Sequence, residues 1–358
     1  MSYEYRQYRY LLMTLDPTHI GTGGYRLGRV DNSITREPGT NLPKIPGTSL
    51  SGAIRSYAAY RYGERDCAGQ GQESETSKGH CGQPECPICY TFGHTRGDRS
   101  YSGTVHIFDA HLAFFPVHSM TGPVWVSSYQ RLEDLQFRVS MVSGERPKDD
   151  RIATTWGRSE PLNLGWLLLP VDNRRATVQP PEGSGWENAK EWQAIQNRIV
   201  LVDDPLFSQI VNSNLEVLIS VSIDPATGAA QKGALFTYEA IPRAAFLACD
   251  VVEDDYRHGF PSADYLLQYV ASHEVSEEKR QVIEQRRARI QPLGWATPQQ
   301  VVRAGLEWAE ALGVGGMGTR GFGRLRLVDH PWPVSARGTA SPQKEEQITP
   351  TEGGGDNG

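Results

Sequence analysis

The sequence predicts an α+β fold with an antiparallel sheet. Two observations predict it. Stretches rich in β-branched and aromatic residues are mixed with helical patterns, but without the regular strand–helix–strand alternation of a parallel sheet. A hairpin signature stands at 215–238, where LEVLISVSID and KGALFTY flank the turn PATGAAQ. Asp224-Pro225 opens that turn and Gly228 can supply a positive φ.

The elements follow in order. YRYLLMTL, from Tyr8 to Leu15, reads as a strand ending at Asp16-Pro17, and residues 16–47 read as loop. A helix starts near Thr48 or Ser49, either of which can cap it, and ends near Tyr62-Gly63. Leu50, Ile54 and Ala58 share one of its faces. VHIFDAHLAFFPV (105–117) reads as one or two strands broken at Pro116, followed by a strand at 124–128. Residues 132–142 suggest a short helix and a strand, LGWLLLPV (164–171) a buried strand, and 172–190 a surface excursion. A short helix and a strand follow over 191–204, and AAFLACDVV reads as another strand. Residues 261–289 form one long, mostly charged helical region. Thr297-Pro298-Gln299-Gln300 carries a hydroxyl cap, Pro at the first position and Gln in the capping-box place, so a helix runs from there to Leu312-Gly313. RLRLV is the last strand, and the Ser-, Gly- and charge-rich tail 335–358 is expected to be disordered.

At 358 residues there is ample chain for a core. No apolar run reaches the roughly 20 residues that span a bilayer, and the first residues lack a signal pattern, so the expected location is the cytoplasm, without a membrane partner. The net charge of −6 does not mark a nucleic-acid binder, yet residues 1–66 carry nine Lys/Arg against six Asp/Glu.

Four of the five Cys lie together: Cys67, Cys81, Cys86 and Cys89, the last three in C-x4-C-x2-C spacing. In a reducing compartment such a set suits tetrahedral, structural Zn²⁺, with His80 or His94 able to replace one ligand; free thiols are the alternative. Four protein ligands would leave no open position for catalysis. Cys249, in a strand, reads as a core residue.

GVGGMGTRGFG contains G-x-G-x-x-G, but a helix precedes it and a strand follows, the reverse of a dinucleotide fingerprint. Its backbone could lie against a phosphate chain, with Arg320 and Arg324 adding charge, or form a tight structural turn. PGTSLSGAIR (46–55) is a helix start whose free N–H groups suit an anion, Gly52 allowing close approach and Arg55 lying within two turns. Asp31 stands in a loop flanked by Arg26, Arg29 and Arg36, as a turn or ion-pair residue or as a carboxylate that activates a 2′-hydroxyl or holds a divalent metal. His19 follows Asp16-Pro17.

Taken together, TLDPTHIGTG, GRVDNSITREPGTNLPKIPGTSLSGAIR, FDAHLAFFPVHSMTG, IDPATGAAQKGALFTYEAIP and GMGTRGFGRLRL resemble, in order over residues 8–328, the RAMP superfamily. Within it they resemble the repeated backbone subunit of type III-B (Cmr) CRISPR effector complexes. The resemblance implies a ferredoxin-like, RNA-recognition-type core with an inserted β-hairpin thumb (215–240) and here a Cys-rich insertion (64–104), in a single RAMP domain over 1–334. It implies stacking with copies of itself and other type III subunits along a CRISPR guide RNA, and cleavage of complementary single-stranded target RNA at regular intervals. Asp31 and His19 match the family's catalytic positions, with Mg or Mn as the expected cleavage metal. Arg36, Gly47, Thr48, Ser49, Gly52, Arg55, Glu239, Gly318, Arg320 and Gly321 match RNA-contacting segments. Ser51 stands where the family often has Lys, and Tyr238-Glu239 where it has an acidic pair. The rival readings are a non-cutting backbone subunit of the same filament and a ribonuclease that processes CRISPR RNA.

Overall fold

Strand β1 (Arg6–Thr14) sets the plan of the molecule. Side chains alternate along a strand, so its run YLLM sends Tyr10 and Leu12 to one core and Leu11 to another. Both faces are covered, which is why the run is continuously apolar. The computed structural model describes residues 5–23, 30–69, 79–96, 99–147, 151–328 and 331–334. The tail expected to be disordered, and Arg26 and Arg29, lie outside the described residues.

After β1 come helix α1 (Gly47–Tyr62), the short helix α2 (Pro87–Phe92), and strands β2 (Val105–Ser119) and β3 (Gly122–Ser128). Strands β4 (Arg138–Met141), β5 (Ile152–Thr154), β6 (Val171–Gln179) and β7 (Ile199–Val202) lead to helix α3 (Asp204–Ser213). The hairpin β8 (Glu216–Ile223) and β9 (Ala230–Ala240) forms its own two-stranded sheet. Strand β10 (Phe246–Glu253), helices α4 (Ala263–Ser272), α5 (Glu277–Ile290) and α6 (Pro298–Leu312), and strand β11 (Leu325–Leu327) complete the chain.

The main sheet runs β11–β1–β10–β2–β3–β7–β5–β6–β4. Its first five strands are antiparallel, as expected. The rest departs from the expectation: β3 pairs β7 in parallel, and β5 pairs β6 in parallel, so the sheet is mixed. One core lies between the sheet and helices α1 and α6, with Leu50, Ile54, Val302 and Leu306 against Tyr10, Leu12 and Leu247. On the other side Phe114, Phe137, Trp186 and Trp192 pack together, Phe114 edge-on to Phe137 at 5.5 Å. A third core joins the end of α1 to the Cys-rich segment and helices α4 to α6.

Several local expectations change. LGWLLLPV is not one buried strand: Leu162–Leu164 and Leu167–Leu169 fold back on each other around Gly165-Trp166. The supposed excursion after it contains β6. Residues 261–289 hold two helices, divided at 273–276, where Ser276 caps the second. Val105–Ser119 is a single strand despite Pro116, which sits opposite Trp125 in the register with β3. Pro46, not Thr48 or Ser49, occupies the N-cap of α1, without a side-chain cap. The capping box at Thr297 and Gln300 forms as read, and Cys249 is buried, its thiol pushed up by burial. Among the described residues no helix is long and apolar enough to cross a membrane.

The contact of α1 with α6 depends on Gly305. A Cβ there would lie 2.8 Å from Ile54 Cγ2 and 2.9 Å from Ile54 C. Helix propensity alone favours Ala over Gly by about 1 kcal/mol, whereas overpacking of this kind costs about 1–3 kcal/mol. Gly305→Ala is therefore expected to lower stability by up to about 2 kcal/mol in urea unfolding. A variant more stable than the parent would show that the backbone contact does not govern this position.

Candidate functional site

The base of strand β9 organises three segments that are distant in sequence. Residues 30–36 lie alongside it: Asn32 N donates to Thr237 O at 3.0 Å, and Glu239 N donates to Asn32 O at 3.0 Å. This pairing places the side chain of Asp31 on Thr237. Thr237 N and Oγ1 both donate to Asp31 Oδ2, at 2.8 and 2.9 Å, while Asp31 N donates to Thr237 Oγ1 at 3.0 Å. The backbone N–H of Thr237, and then its hydroxyl, hold the exposed carboxyl below the usual range. Asp31 is therefore anionic at neutral pH, and Oδ1 is the oxygen that Thr237 does not engage.

Glu239 is buried, with 8% of its surface exposed. Its carboxylate takes Arg36 Nη2 at 2.5 Å and Ile34 N at 3.3 Å. Arg36 also donates to Asn212 Oδ1 at 3.2 Å, which joins the loop to helix α3. The expected RNA contacts Arg36 and Glu239 are thus spent on each other: they form a half-buried ion pair that shapes the site from within.

His19 is buried as well. Its Nδ1 donates to Glu239 O at 2.7 Å, so Nε2 is the acceptor of the neutral ring. The ring stands edge-on to Tyr238 at 5.8 Å, and Tyr238 OH accepts from Arg320 Nη1 at 3.1 Å. The glycine loop closes over this corner: Gly316 N donates to His19 O at 3.0 Å. Gly315 has φ +93°, and a Cβ there would lie 2.6 Å from His19 O, so this glycine is required by packing on His19. Gly318, Arg320 and Gly321 are exposed beyond it.

The start of α1 is already engaged by the protein. Gly47 N donates to Asp109 Oδ1 at 2.8 Å, and Lys44 Nζ lies 2.5 Å from Asp109 Oδ2. Burial works against the Asp109 anion, but Lys44 and the Gly47 N–H outweigh it and keep its pKa low. Asp109 thus occupies the anion position expected for phosphate, leaving exposed Thr48 and Gly52, and half-buried Ser49, on the outer side of the first turns. Arg55 points elsewhere: Nε donates to Cys67 O at 2.8 Å and Nη1 to Phe92 O at 3.3 Å, against the Cys cluster.

That cluster is Cys67, Cys81, Cys86 and Cys89, whose sulfurs all lie within 4.8 Å of one another. Three of the separations are 3.6, 3.7 and 3.9 Å, for Cys67–Cys89, Cys81–Cys89 and Cys67–Cys86. These are far beyond the ~2.05 Å of a disulfide. They match the edges of a tetrahedron of sulfurs about 2.3 Å from a central Zn²⁺. Cys67 completes the set, so neither His80 nor His94 is needed; both rings are buried beside it. Arg286 is buried here too. Burial opposes its charge, but Cys86 and Cys81 overcome that and hold it firmly protonated.

The expected residues thus fall into three places: Asp31, His19, Arg36, Glu239 and Arg320 around the base of β9, Gly47 to Gly52 at the start of α1, and the four Cys with Arg55. Sequence reasoning missed Thr237 and noted Tyr238 only as a departure from the family's acidic pair. The alternation of β9 was the available signal, because it sets Thr237 and Glu239 on one face and Tyr238 on the other.

A family model described as the RAMP superfamily matches residues 11–326. Over 248 residues the chain is 29% identical to the CRISPR system Cmr endoribonuclease Cmr4 of Pyrococcus furiosus, covering 64% of this chain and 76% of that protein. It is 37% identical over 87 residues to the CRISPR system Cms endoribonuclease Csm3 of Methanothermobacter thermautotrophicus, covering 24% of this chain and 31% of that one. Among solved structures, a type III-B Cmr-beta chain bound to cognate target RNA shares the fold with a TM-score of 0.54 at 13% identity, over 91% of this chain and 97% of that chain. The apo Cmr-beta structure matches with a TM-score of 0.54 at 15% identity, over 90% and 97%.

The Asp31–Thr237 contact predicts a titration. Because the folded pKa is depressed, the contact contributes above the ordinary carboxylate pKa of about 3.9 and is lost as pH falls through the lower folded value. Thr237→Val removes one of the two donors to Oδ2. Asp31 is expected to titrate at higher pH in that variant, measured by carboxyl NMR. An unchanged titration would rule out the hydroxyl as a partner.

Proposed function

The chain belongs to the RAMP superfamily, and from that premise we propose that it is the repeated backbone subunit of a type III-B (Cmr) CRISPR effector complex. In this role it binds the guide CRISPR RNA and cuts complementary target RNA, in a filament with its own copies and other type III subunits. The observation that carries the reading is the exposed Asp31 carboxylate, fixed at the base of a hairpin by a strand that also engages His19 and Arg320. The name of the Pyrococcus relative, an endoribonuclease of the Cmr system, supports the activity.

In this reading residues 1–334 make one RAMP domain with a ferredoxin-like core. The order β11–β1–β10–β2, with α1 and α6 packed on one side, supports that description. Hairpin β8–β9 is the thumb, which displaces a base of the guide–target duplex and frees the backbone beside it to reach in-line geometry. The 2′-oxygen of the target then attacks the adjacent phosphorus and gives up its proton. The P–O5′ bond breaks and the 5′ oxygen takes a proton, leaving a 2′,3′-cyclic phosphate and a 5′-hydroxyl.

Asp31 is a weak base because its pKa is depressed, and a persistent anion for the same reason. That favours holding a hard cation over abstracting a proton. A divalent ion such as Mg²⁺ or Mn²⁺ bound there would neutralise phosphate charge, and one protein carboxylate with RNA phosphates is a usual ligand set for Mg²⁺. His19 is a positioning residue that seats Tyr238. Thr48, Ser49 and Gly52, with Gly318, Arg320 and Gly321, face the guide backbone.

The four Cys hold structural zinc. Four thiolates around Zn²⁺ carry a net charge of about −2, which Arg55 and Arg286 offset. This centre orders a segment that is otherwise short of apolar residues.

Asp31→Asn in a reconstituted complex is expected to reduce target cleavage by at least about 100-fold, with guide and target binding unchanged. Cutting that persists at the same positions would leave a binding subunit and remove the catalytic assignment. Chelation with EDTA is expected to stop cutting. For the Cys centre, elemental analysis is expected to give about one zinc per chain, lost in Cys86→Ser together with thermal stability. Zinc-free parent protein of normal stability would refute it.

A further inference from the structure

A second site lies beside the Cys centre, away from the base of the hairpin. A cavity of about 230 Å³ opens between the chain leading into α2 and the first turns of α4. By volume it holds roughly seven or eight waters, the scale of one flat heterocycle rather than of a chain. Tyr265 and Tyr269 form one wall, their rings near-parallel at 26°. Tyr269 is also stacked on His273 at 4.4 Å and 17°, and Lys279 Nζ lies 5.5 Å from the Tyr269 ring centroid. Tyr90 and Arg257 also line it. The Arg257 guanidinium rests over three rings, Tyr90 at 5.2 Å, Tyr101 at 5.1 Å and Tyr256 at 5.3 Å.

The polar groups of this cavity are specific. Glu85 lines it with only 8% of its surface exposed, and its ion pair to Lys279 Nζ is long at 3.5 Å. Neither structural zinc nor cleavage at Asp31 uses these residues. Aromatic faces take any base, because every base has a π-face. A buried carboxylate narrows the choice: its two oxygens match two adjacent N–H donors, which guanine presents at N1 and N2 and the other RNA bases do not. Cations at the rim suit the O6 and N7 acceptors of the same base.

We propose that this cavity is a nucleobase-binding site that takes an unstacked guanine of single-stranded RNA, stacked on Tyr265 with its donor edge on Glu85. The assignment of the base to RNA rests on the RNA-guided reading above; the recognition of guanine does not. Lys279 then exchanges its long contact with Glu85 for the base, and Arg257 holds Tyr90 in the lining.

The test uses the purified full chain with two single-stranded RNAs, an oligouridine and the same oligonucleotide with one central guanosine. GMP serves as a competitor. The guanosine-containing RNA is expected to bind tighter by about 5- to 150-fold, the discrimination that one bidentate base contact supplies. Tyr265→Ala is expected to abolish the difference, and this exposed residue can be changed without disturbing the core. Glu85→Gln is expected to remove the guanosine preference while leaving oligouridine affinity unchanged. Competition by GMP, lost in Tyr265→Ala, would support the base site with a free nucleotide as its source. If GMP binds in that way and RNA does not bind at all, the guanine site stands and the RNA-guided reading falls. Equal affinity for the two RNAs with no competition by GMP, or a guanosine preference that survives Tyr265→Ala, overturns the proposal.

Discussion

The end of the molecule at the base of the hairpin depends on one buried carboxylate, that of Glu239. Removing a charge from water costs several kcal/mol unless partners replace the solvent. Here Arg36 and the Ile34 N–H replace it, and the Glu239 carbonyl in turn takes His19. Loop 30–36, the His19 segment and the hairpin base are therefore held by the same residue. Losing either member of such a pair strands the other, which typically costs about 3–5 kcal/mol. The exposed Asp31 inherits its position from this buried arrangement, because the strand pairing that satisfies Asn32 also sets Thr237 beneath it.

The Cys-rich segment solves a different problem. Residues 79–96 bring little aliphatic material to the third core, yet Cys67, Cys86 and Cys89 are fully buried there. Their sulfurs, with Arg55 and Arg286 around them, form a compact cluster against α1 and α5 that could hold a metal ion. Helix α1 thereby serves two regions. Its first half packs on the sheet, and its second half, from Ala58 to Tyr62, faces the Cys centre.

Local chemistry was legible in the sequence wherever it acts over short distances. The turn at Asp224–Gly228 closes as its residues dictate: Asp224 Oδ1 accepts from Ala226 N at 2.8 Å and Gly228 has φ 67°. The capping box at Thr297 and the gathering of four Cys were likewise readable. Ambiguity entered where one pattern serves two structures. LGWLLLPV has the composition of a buried strand, but Gly165 turns the chain within it. The N-terminus of α1 looked open to an anion because Asp109, which fills it, lies 62 residues on. Arg36, Arg55 and Glu239 looked like surface groups for the same reason. Arg36 and Glu239 meet across 203 residues and Arg55 reaches Cys67 across 12, and only the fold reveals that they are taken. Thr237 and Tyr238 lie in the hairpin segment without a role of their own there, and their contacts come from what β9 is placed beside.

The pleat of β9 has a last consequence. A shift of one residue in the pairing of the hairpin exchanges the two faces of the strand. Thr237 and Glu239 would turn away together, and Tyr238 would take their side. Asp31 would lose its donor and Arg36 its anion in a single step. The two polar contacts therefore tie the hairpin's register to the loop that carries Asp31, since a one-residue slip would forfeit both at once.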